Sequence, residues 1–149
     1  MLSYYVAQGN DSPLVSFDVQ AHCFTICGIS HPESAMDFYG PLIRWLKDYI
    51  DEQKKAQTTT LPGHQLKLLF RHVNSMSFRS VSRICRLFSE LSTIAPCSIT
   101  WYFENEDIDI YEAGLDLKEE LNLEGTSFKI EETSETIERV QDKLRTQAC

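Results

Sequence analysis

The alternation of two kinds of apolar segment constrains the fold of this chain more than any other feature of its sequence. Short runs rich in β-branched and aromatic residues have the composition of strands, whereas the segments between them repeat apolar residues every three to four positions, as helices do. The predicted strands cover residues 14–18, 22–29, 64–73, 98–104 and 127–132. The predicted helices run over residues 34–54, from residues 74–77 to about 95, and over 109–121. The order is therefore β-β-α-β-α-β-α-β.

This order of elements predicts the α/β class. Three successive β-α-β units favour parallel neighbouring strands with right-handed connections, while the first two strand segments are close enough to form an antiparallel hairpin. The continuous apolar centre of residues 64–73 indicates an interior strand. We therefore expect a single-domain mixed β-sheet of about five strands flanked by about three helices, with a strand order that the pattern leaves open.

The chain length of 149 residues is that of one domain. We expect one domain over residues 1–149, with a core at about 14–132 and a C-terminal tail at 133–149. Apolar residues recur in the tail at Ile137, Val140 and Leu144, which predicts a further helical turn or two.

Charge is distributed unevenly along the chain and limits the classes of partner. Residues 1–100 contain 9 Lys and Arg against 8 Asp and Glu, whereas residues 101–149 contain 5 against 14. The resulting isoelectric point near 4.9 argues against a broad basic surface for nucleic acid. The apolar runs fall short of the ~18 residues of a membrane span, and residues 1–6 lack the pattern of a secretory signal. We therefore predict a cytoplasmic protein with no nucleic-acid partner and no direct membrane insertion.

The five cysteines form no recognisable metal site or disulfide framework. Their number is odd and no C-x-x-C pair occurs, so reduced thiols are expected. Cys23 and Cys27 share one face of a predicted strand, but about 13 Å of strand separates them, which is too far for one zinc ion. The acidic run at residues 104–109 lacks the turn glycine and the closing glutamate of an EF-hand loop. No metal ion and no cofactor are therefore predicted.

Motifs for common enzyme chemistries are absent from the sequence. It contains no G-x-G-x-x-G, Walker loop, G-x-S-x-G or H-E-x-x-H, and its six glycines are isolated. The enzymatic alternative is a small hydrolase in which Ser75 or a cysteine is the nucleophile and His72 the base. Since no third residue or oxyanion loop accompanies these groups, no catalytic residue is predicted.

The segment Asn74-Ser75-Met76-Ser77 lies where a predicted strand is followed by a predicted helix, a position at which α/β proteins meet their ligands and partners. Asn and Ser are favoured N-cap residues, so helix capping is one interpretation of this segment. The other is an exposed hydroxyl that can be modified. A phosphate here would add about −1.5 to −2 charges beside the positive end of the helix dipole. The domain would tolerate this charge, but the surface shown to a partner would change.

Two further features indicate a surface for a partner protein. Arg79, Arg83 and Arg86 follow one another at i, i+4 and i+7 of the second helix and form a basic ridge, which is either a partner contact or a solvated face. Tyr39 and Ile43 lie off the main apolar line of the first helix and are the second candidate contact, with core packing as the alternative.

Three segments, at residues 31–49, 74–79 and 99–129, carry a family resemblance. They read H-P-E-S…F-Y-G-P…W-L-K-D-Y, N-S-M-S-F-R and I-T-W-Y…E-D-I-D…E-A-G…F-K. In this order and with these gaps the chain resembles the SiaC family of bacterial regulatory phosphoproteins over roughly residues 14–132. The corresponding family patterns are P-E-N/S…F-x-x-P…W…Y, N-T-S-S-x-K and W-Y-Y…D-E-D…E-x-G-E…P-F.

The resemblance implies a phosphorylation-switched adaptor and not an enzyme. In that family the unphosphorylated protein binds and activates a GGDEF-domain diguanylate cyclase, which raises cyclic di-GMP and promotes aggregation or biofilm formation. A cognate Ser/Thr protein kinase modifies the threonine after the asparagine, and a metal-dependent Ser/Thr phosphatase reverses the modification. The threonine position falls on Ser75 here, with Ser77 as the alternative acceptor. The chain departs from the family pattern at Ser75, Met76 and Arg79.

The resulting hypothesis combines the modified segment with the two candidate contacts. The predicted partner-binding residues are Asn74, Ser75, Ser77, Arg79, Arg83, Tyr39 and Ile43. A second hypothesis is a partner-switching protein like the antagonists of anti-sigma factors, because those small α/β domains also place a phosphorylated serine at the start of a helix.

Overall fold

Within the described residues, six strands form one mixed sheet, and their order in the sheet is their order along the chain. The structure is a computed structural model that describes residues 1–56 and 61–147. The strands are β1 (Tyr4–Val6), β2 (Leu14–Asp18), β3 (Cys23–Ser30), β4 (His64–Val73), β5 (Cys97–Phe103) and β6 (Thr126–Glu132). The first three are antiparallel neighbours, whereas β3 to β6 are parallel.

The described residues form four α-helices, of which the first three connect successive parallel strands. The helices are α1 (Ala35–Ala56), α2 (Ser75–Ser89), α3 (Ile108–Leu121) and α4 (Ile137–Gln147), and a 3₁₀ turn at Glu90–Thr93 follows α2. Because each connection joins neighbouring parallel strands with the usual right-handed sense, α1, α2 and α3 lie side by side on one face of the sheet. Helix α4 packs on β2, β3 and β4 from the other face.

The predicted α/β class and mixed sheet are confirmed, with six strands where about five were expected and four helices where about three were expected. Strand β4 has the predicted bounds and the predicted interior position, and β2 and β3 form the predicted antiparallel hairpin. The extra strand β1 is only three residues long, too short for a periodic signal. The tail forms a helix of 11 residues, longer than the expected turn or two. The composition of residues 57–63, Gln-Thr-Thr-Thr-Leu-Pro-Gly, is typical of a loop, and residues 57–60 lie outside the described residues.

The main core lies between the sheet and helices α1 to α3. The largest fully buried side chains belong to this layer: Trp101, Tyr39, Tyr49, Phe17, Phe24, Phe70 and Phe88. Burying this apolar area contributes about 25 cal/mol per Å² and drives the folding of the three crossovers. The described part of the chain has no helix that is both long and apolar enough to cross a membrane.

The second face of the sheet is covered only in part, by α4. Ile137 of this helix is fully buried against Cys27 and Leu69. Gly28 adopts φ 127°, and a Cβ at this position would collide with Gln141 Nε2, which donates a hydrogen bond of 2.9 Å to the Cys27 carbonyl. A residue without a side chain at position 28 therefore leaves room for the Gln141 side chain, whose hydrogen bond links α4 to β3.

The four cysteines within the described residues are free thiols, and three of them are buried. Burial raises the pKa of Cys27 to about 12 and that of Cys97 to about 11, and it also raises the pKa of Cys85. Cys149 lies outside the described residues. The described residues contain no group of three or more His, Cys, Asp or Glu side chains that could hold a metal ion.

Candidate functional site

The start of α2 is capped by Asn74, the residue between β4 and the helix. Asn74 has an extended backbone (φ −80°, ψ 170°), and its Oδ1 accepts a hydrogen bond of 2.8 Å from the Ser77 backbone N–H. Its carbonyl oxygen accepts another of 2.8 Å from the Phe78 N–H. These bonds satisfy donors of the first helical turn that would otherwise lack partners. Since Asn74 performs the capping, the hydroxyl of Ser75 is not needed for it.

The same asparagine attaches the α2 start to the end of β3. Asn74 Nδ2 donates to His31 Nδ1 at 2.9 Å, and the Asn74 backbone N–H donates to the Ser30 carbonyl at 3.1 Å. The His31 ring also contacts that of His72, with ring centroids 5.7 Å apart. The segment that carries Ser75 is therefore attached by two hydrogen bonds to the end of β3.

The two candidate hydroxyls, two residues apart, lie in different environments. Ser75 is exposed at the first position of α2, and within the described residues its hydroxyl makes no hydrogen bond. Ser77 is 0% exposed, and its Oγ accepts a bond of 2.8 Å from the Ser30 hydroxyl. Ser30 Oγ in turn lies 2.6 Å from the hydroxyl of Tyr39. Because the single Ser30 proton points to Ser77, Tyr39 must be the donor of this second bond.

Tyr39 and Ile43, which were predicted to contact a partner, are part of the core instead. Tyr39 is 0% exposed and Ile43 is 7% exposed. The physical reason is that α1 packs against both the sheet and α2, so its buried face is wider than the single apolar line that the sequence shows. The burial of Ser77 removes that hydroxyl from the surface for the same reason, and burial raises the pKa of Tyr39.

The arginines of the predicted basic ridge are all exposed. Arg86 Nη2 donates a hydrogen bond of 3.4 Å to the Glu120 carbonyl on α3. At the other end of α2, Ser75 and Arg79 line a groove of about 500 Å³ between α2 and α3. On its far side the groove is lined by Asp116 and Glu120. Ser75 thus lies at an end of a groove with one basic residue, Arg79, on one wall and two acidic residues on the other.

Sequence patterns did not reveal three exposed apolar residues near this site. Met36 is 76% exposed, Met76 52% and Ile108 65%, and they lie in the first turns of α1, α2 and α3. In the sequence, each of them is a large apolar residue that does not belong to the buried stripe of its own helix. Their exposure could not be predicted from this pattern without knowing where each helix begins.

A family model described as SiaC family regulatory phosphoprotein matches residues 6–133 of the chain. This match covers the whole sheet except part of β1, together with helices α1, α2 and α3. The chain belongs to the SiaC family of regulatory phosphoproteins. Comparison with curated protein sequences gives no match. The family resemblance of the three sequence segments is therefore confirmed, and it favours this family over the anti-sigma-factor antagonists.

Solved SiaC structures share the fold of this chain. The apo-SiaC of Pseudomonas aeruginosa has 19% sequence identity and a TM-score of 0.70, over 88% of this chain and 99% of that chain. A chain in the complex of the diguanylate cyclase SiaD with its activator SiaC, from the same organism, has 19% identity and a TM-score of 0.71, over 87% and 99%. At this identity the likeness establishes the fold.

Part of the SiaC family pattern in this chain is explained by packing. Trp101 is fully buried on β5, and its Nε1 donates a hydrogen bond of 2.8 Å to the Ile110 carbonyl of α3. A Cβ on Gly114, one turn further along α3, would collide with the Trp101 ring. Asp107 caps the helix, since its Oδ1 accepts from the Ile110 N–H at 3.1 Å. These three residues hold α3 on the sheet.

The geometry does not support the hydrolase alternative. No hydrogen bond joins Ser75 to His72 or His31 within the part of the chain that the structure describes. The raised pKa values of the buried cysteines keep those thiols protonated at neutral pH, where they are poor nucleophiles. The hydroxyl of Ser75 is exposed and makes no hydrogen bond within the described residues.

Proposed function

We propose that this chain is a cytoplasmic, phosphorylation-switched adaptor that binds and activates a GGDEF-domain diguanylate cyclase while Ser75 is unmodified. In this proposal it controls cyclic di-GMP and thereby aggregation or biofilm formation. The observation that carries the proposal is the exposed Ser75 hydroxyl at the first position of α2, which makes no hydrogen bond among residues 1–56 and 61–147, in a member of a family of regulatory phosphoproteins. The likeness to the SiaC that accompanies the diguanylate cyclase SiaD supports the class of partner.

Electrostatics at the α2 start explain why the domain would tolerate the modified state. The first turn of α2 has no acidic residue, so a phosphate on Ser75 meets no like charge on its own helix. It would lie beside the positive end of the helix dipole, with Arg79 one turn further along. A group with a charge of about −1.5 to −2 would therefore be stabilised by the domain while it changes the surface shown to a partner.

Accessibility favours Ser75 over Ser77 as the acceptor in this proposal. A kinase must bring a serine hydroxyl to the γ-phosphate of ATP, and Ser75 is presented on the surface. Ser77 would have to leave its buried bond with Ser30 first. We therefore assign Ser75 as the acceptor, with a cognate Ser/Thr protein kinase adding the phosphate and a metal-dependent Ser/Thr phosphatase removing it.

The test combines phosphorylation mapping with cyclase activity. The full chain is incubated with its cognate kinase and ATP, and trypsin then releases the peptide of residues 72–79, which contains both serines. Fragment ions that separate the two positions should place the phosphate on Ser75. Ser75→Ala should abolish the modification, whereas the matched variant Ser77→Ala should retain it.

The activity arm measures cyclic di-GMP formation by the purified GGDEF-domain cyclase. Unmodified chain should stimulate the cyclase, phosphorylated chain should not, and Ser75→Ala treated with kinase should stimulate it as the unmodified chain does. Modification found only at other residues would contradict the assignment of Ser75. Equal stimulation by both forms would contradict the switch.

A further inference from the structure

The face of the sheet opposite to α1, α2 and α3 carries a groove beside α4. Helix α4 packs over Cys27 and Leu69, which are paired in register on β3 and β4. Two residues earlier on the same strands, Thr25 and Lys67 are also paired in register and point to the same face. This part of the sheet, α4 and the N-terminal segment together line a groove of about 1130 Å³. Its size is comparable with that of small-molecule sites, which are commonly about 300–1,000 Å³.

The floor of this groove carries a positive charge that has no counter-charge. Lys67 is partly buried, and within residues 1–56 and 61–147 its ammonium group forms no ion pair. The neighbouring Thr25 is only 4% exposed, and its hydroxyl contacts Cys23 Sγ at 4.0 Å, which is long for a hydrogen bond. Because neighbouring strands are about 4.8 Å apart, the Thr25 hydroxyl and the Lys67 ammonium group can reach one bound group. Both can donate a hydrogen bond, so they suit a carboxylate, which accepts.

Apolar side chains from two separate segments line the same groove. Helix α4 contributes Val140 and Leu144, which are both partly exposed. The N-terminal segment contributes Leu2, which is 87% exposed, and Tyr5, which is 40% exposed. Large apolar groups left in water around one concave surface are typical of a place where a ligand is bound. The groove therefore combines one positive charge on its floor with apolar walls.

Carboxylates around the groove limit the charge that a ligand can have. The acidic residues that line it are Asp18, Glu131, Glu132 and Glu135. None of them forms an ion pair with Lys67 in the part of the chain that the structure describes. A ligand with several negative charges would be repelled by these carboxylates, whereas a single negative charge has Lys67 as its partner. The charges therefore favour a ligand with one carboxylate.

We propose that this groove binds a small amphipathic monocarboxylate, with its carboxylate on Lys67 and Thr25 and its apolar body against Leu2, Val140 and Leu144. The site goes beyond the proposed function, because its described lining lies outside α1, α2 and α3. Helix α4 also lies beyond residues 6–133, which the family model matches. The groove thus depends on a part of this chain outside the family pattern.

The experiment titrates the full, ¹⁵N-labelled chain with sodium octanoate and follows the amide chemical shifts by NMR. Two probes of the same chain length are the matched controls: 1-octanol has no charge, and octanedioate has two. Octanoate should bind about tenfold more tightly than 1-octanol, because a hydrogen-bonded ion pair is added to the apolar contact. Octanedioate should bind more weakly than octanoate, since its second carboxylate would meet apolar walls and acidic residues. The amides expected to shift are those of Ser16, Thr25, Lys67, Val140 and Leu144.

Two lysines on the same face of the sheet provide a matched pair of variants. Lys67→Met removes the charge and keeps most of the side-chain length, so it should weaken octanoate binding about tenfold and leave 1-octanol binding unchanged. Lys129→Met is the control. Pairing in register through Thr100 places Lys129 in the same row, two strands or about 10 Å from Lys67 and outside the lining of the groove. It should change octanoate binding less than twofold. Thermal unfolding confirms that both variants are folded.

Cys23 supplies an independent measurement of occupancy. It lines the groove, and among the four described cysteines it is the one that is partly exposed. In a Cys149→Ser background, octanoate should slow the alkylation of Cys23 by iodoacetamide, because the bound ligand covers the thiol. The added substitution Lys67→Met should remove this protection at the same octanoate concentration.

Each outcome supports or overturns the proposal. Weaker octanoate binding in Lys67→Met, with 1-octanol binding retained, supports it. If octanoate shifts no amide of the groove, or shifts only amides of another surface, the site is wrong. Equal affinity for octanoate and 1-octanol, or equal loss with Lys67→Met and Lys129→Met, would show that the floor charge does not select the ligand. Dimerisation in sedimentation experiments that protects Cys23 without octanoate would assign the groove to a contact between two copies, which also overturns the proposal.

Discussion

The start of α2 and the contact between β5 and α3 both contribute to the SiaC family pattern, yet they differ in what their residues do. At the β5–α3 contact, Trp101 is fully buried and Gly114 allows the helix to pass its ring. At the α2 start, Ser75 is exposed and its hydroxyl is unused within the described residues. A family pattern therefore mixes buried residues that stabilise the fold with exposed residues that take no part in its packing, and only burial and hydrogen bonding separate them.

The residues at the α2 start also differ among themselves, some in packing and one in exposure. Ser77 belongs to the buried chain of hydroxyls with Ser30 and Tyr39, and this chain joins α2 to α1. Asn74 links the helix to the end of β3. These attachments fix the position of Ser75, so we expect a modification there to change the surface without changing the fold.

The largest expected effect is on partner binding, which negative charge at Ser75 should weaken without lowering the stability of the domain. Phosphorylation should weaken partner binding by roughly 30-fold to several thousand-fold, because a charge forced into a desolvated contact costs about 2–5 kcal/mol. Ser75→Glu should act in the same direction but less strongly, since a carboxylate carries one charge. Neither change should lower the free energy of unfolding, because negative charge at a helix N-terminus is favourable.

Calorimetric titration and urea unfolding of the same samples measure both quantities. The control is Ser127→Glu, which places the same charge at an exposed serine on the opposite face of the sheet. Loss of stability in parallel with loss of binding at position 75 would mean that this serine belongs to the packing residues after all.

The next largest effect is on stability and tests the packing between β5 and α3. Gly114→Ala should destabilise the domain by about 1–3 kcal/mol, because the added methyl group collides with the Trp101 ring, which its hydrogen bond to Ile110 holds in place. Gly40→Ala is the matched control in helix α1, where an added Cβ meets no atom within 4 Å. It should stabilise the domain by about 0.5–1 kcal/mol. Urea unfolding of both variants checks the signs, and equal signs would contradict the packing argument.

A smaller effect compares the two serines of one helical turn. Ser77→Ala should lower the free energy of unfolding by about 1–2 kcal/mol, because it leaves the buried Ser30 hydroxyl without its acceptor. Ser75→Ala should change it by less than about 0.5 kcal/mol, as exposed substitutions usually do. Thermal and urea unfolding of the pair measure the difference, and similar values for the two would refute the distinction drawn from burial.

The smallest expected effect is a loss of stability in acid, and it depends on His64 at the other end of β4. His64 is buried, and burial lowers its pKa, with the neighbouring His22 acting in the same direction and the Pro62 carbonyl opposing it. Tyr49 lies 2.7 Å from His64 Nε2, and His64 Nδ1 lies 2.8 Å from the Pro62 carbonyl, which fixes a neutral ring that donates from Nδ1. A histidine of lowered pKa binds its proton more readily in the unfolded chain. Stability is therefore retained above about pH 6.5 and decreases as the pH falls below it.

Urea unfolding at pH 7.5, 6.5 and 5.5 checks this prediction. The His64→Gln variant should be less stable throughout but should lose less stability on acidification than the unchanged chain. Parallel pH profiles of the two proteins would show that another group is responsible.

Much of the fold could be predicted because its signals are local. The apolar run of β4 and the periodicity of α1 and α3 need no information beyond a short window of sequence, and these elements were placed within a few residues. Strand β1 was missed because three residues contain no period. The site was predicted in part. The position of Asn74 and Ser75 between strand and helix is a sequence feature. The predicted roles of Tyr39 and Ile43 were wrong because the periodicity of a helix does not show how many other elements the helix packs against.

The sequence by itself determined the alternation of strands and helices, the capped start of α2 and the acidic C-terminal third, since each depends on residues close together in the chain. Only the tertiary structure decided which hydroxyl of the turn is exposed and that three helix starts share one edge. It also decided that Met36, Met76 and Ile108 are exposed in the first turns of α1, α2 and α3. These facts depend on the order of strands in the sheet and on the packing of α1, α2 and α3. Such contacts join residues that are tens of positions apart, and no local pattern records them.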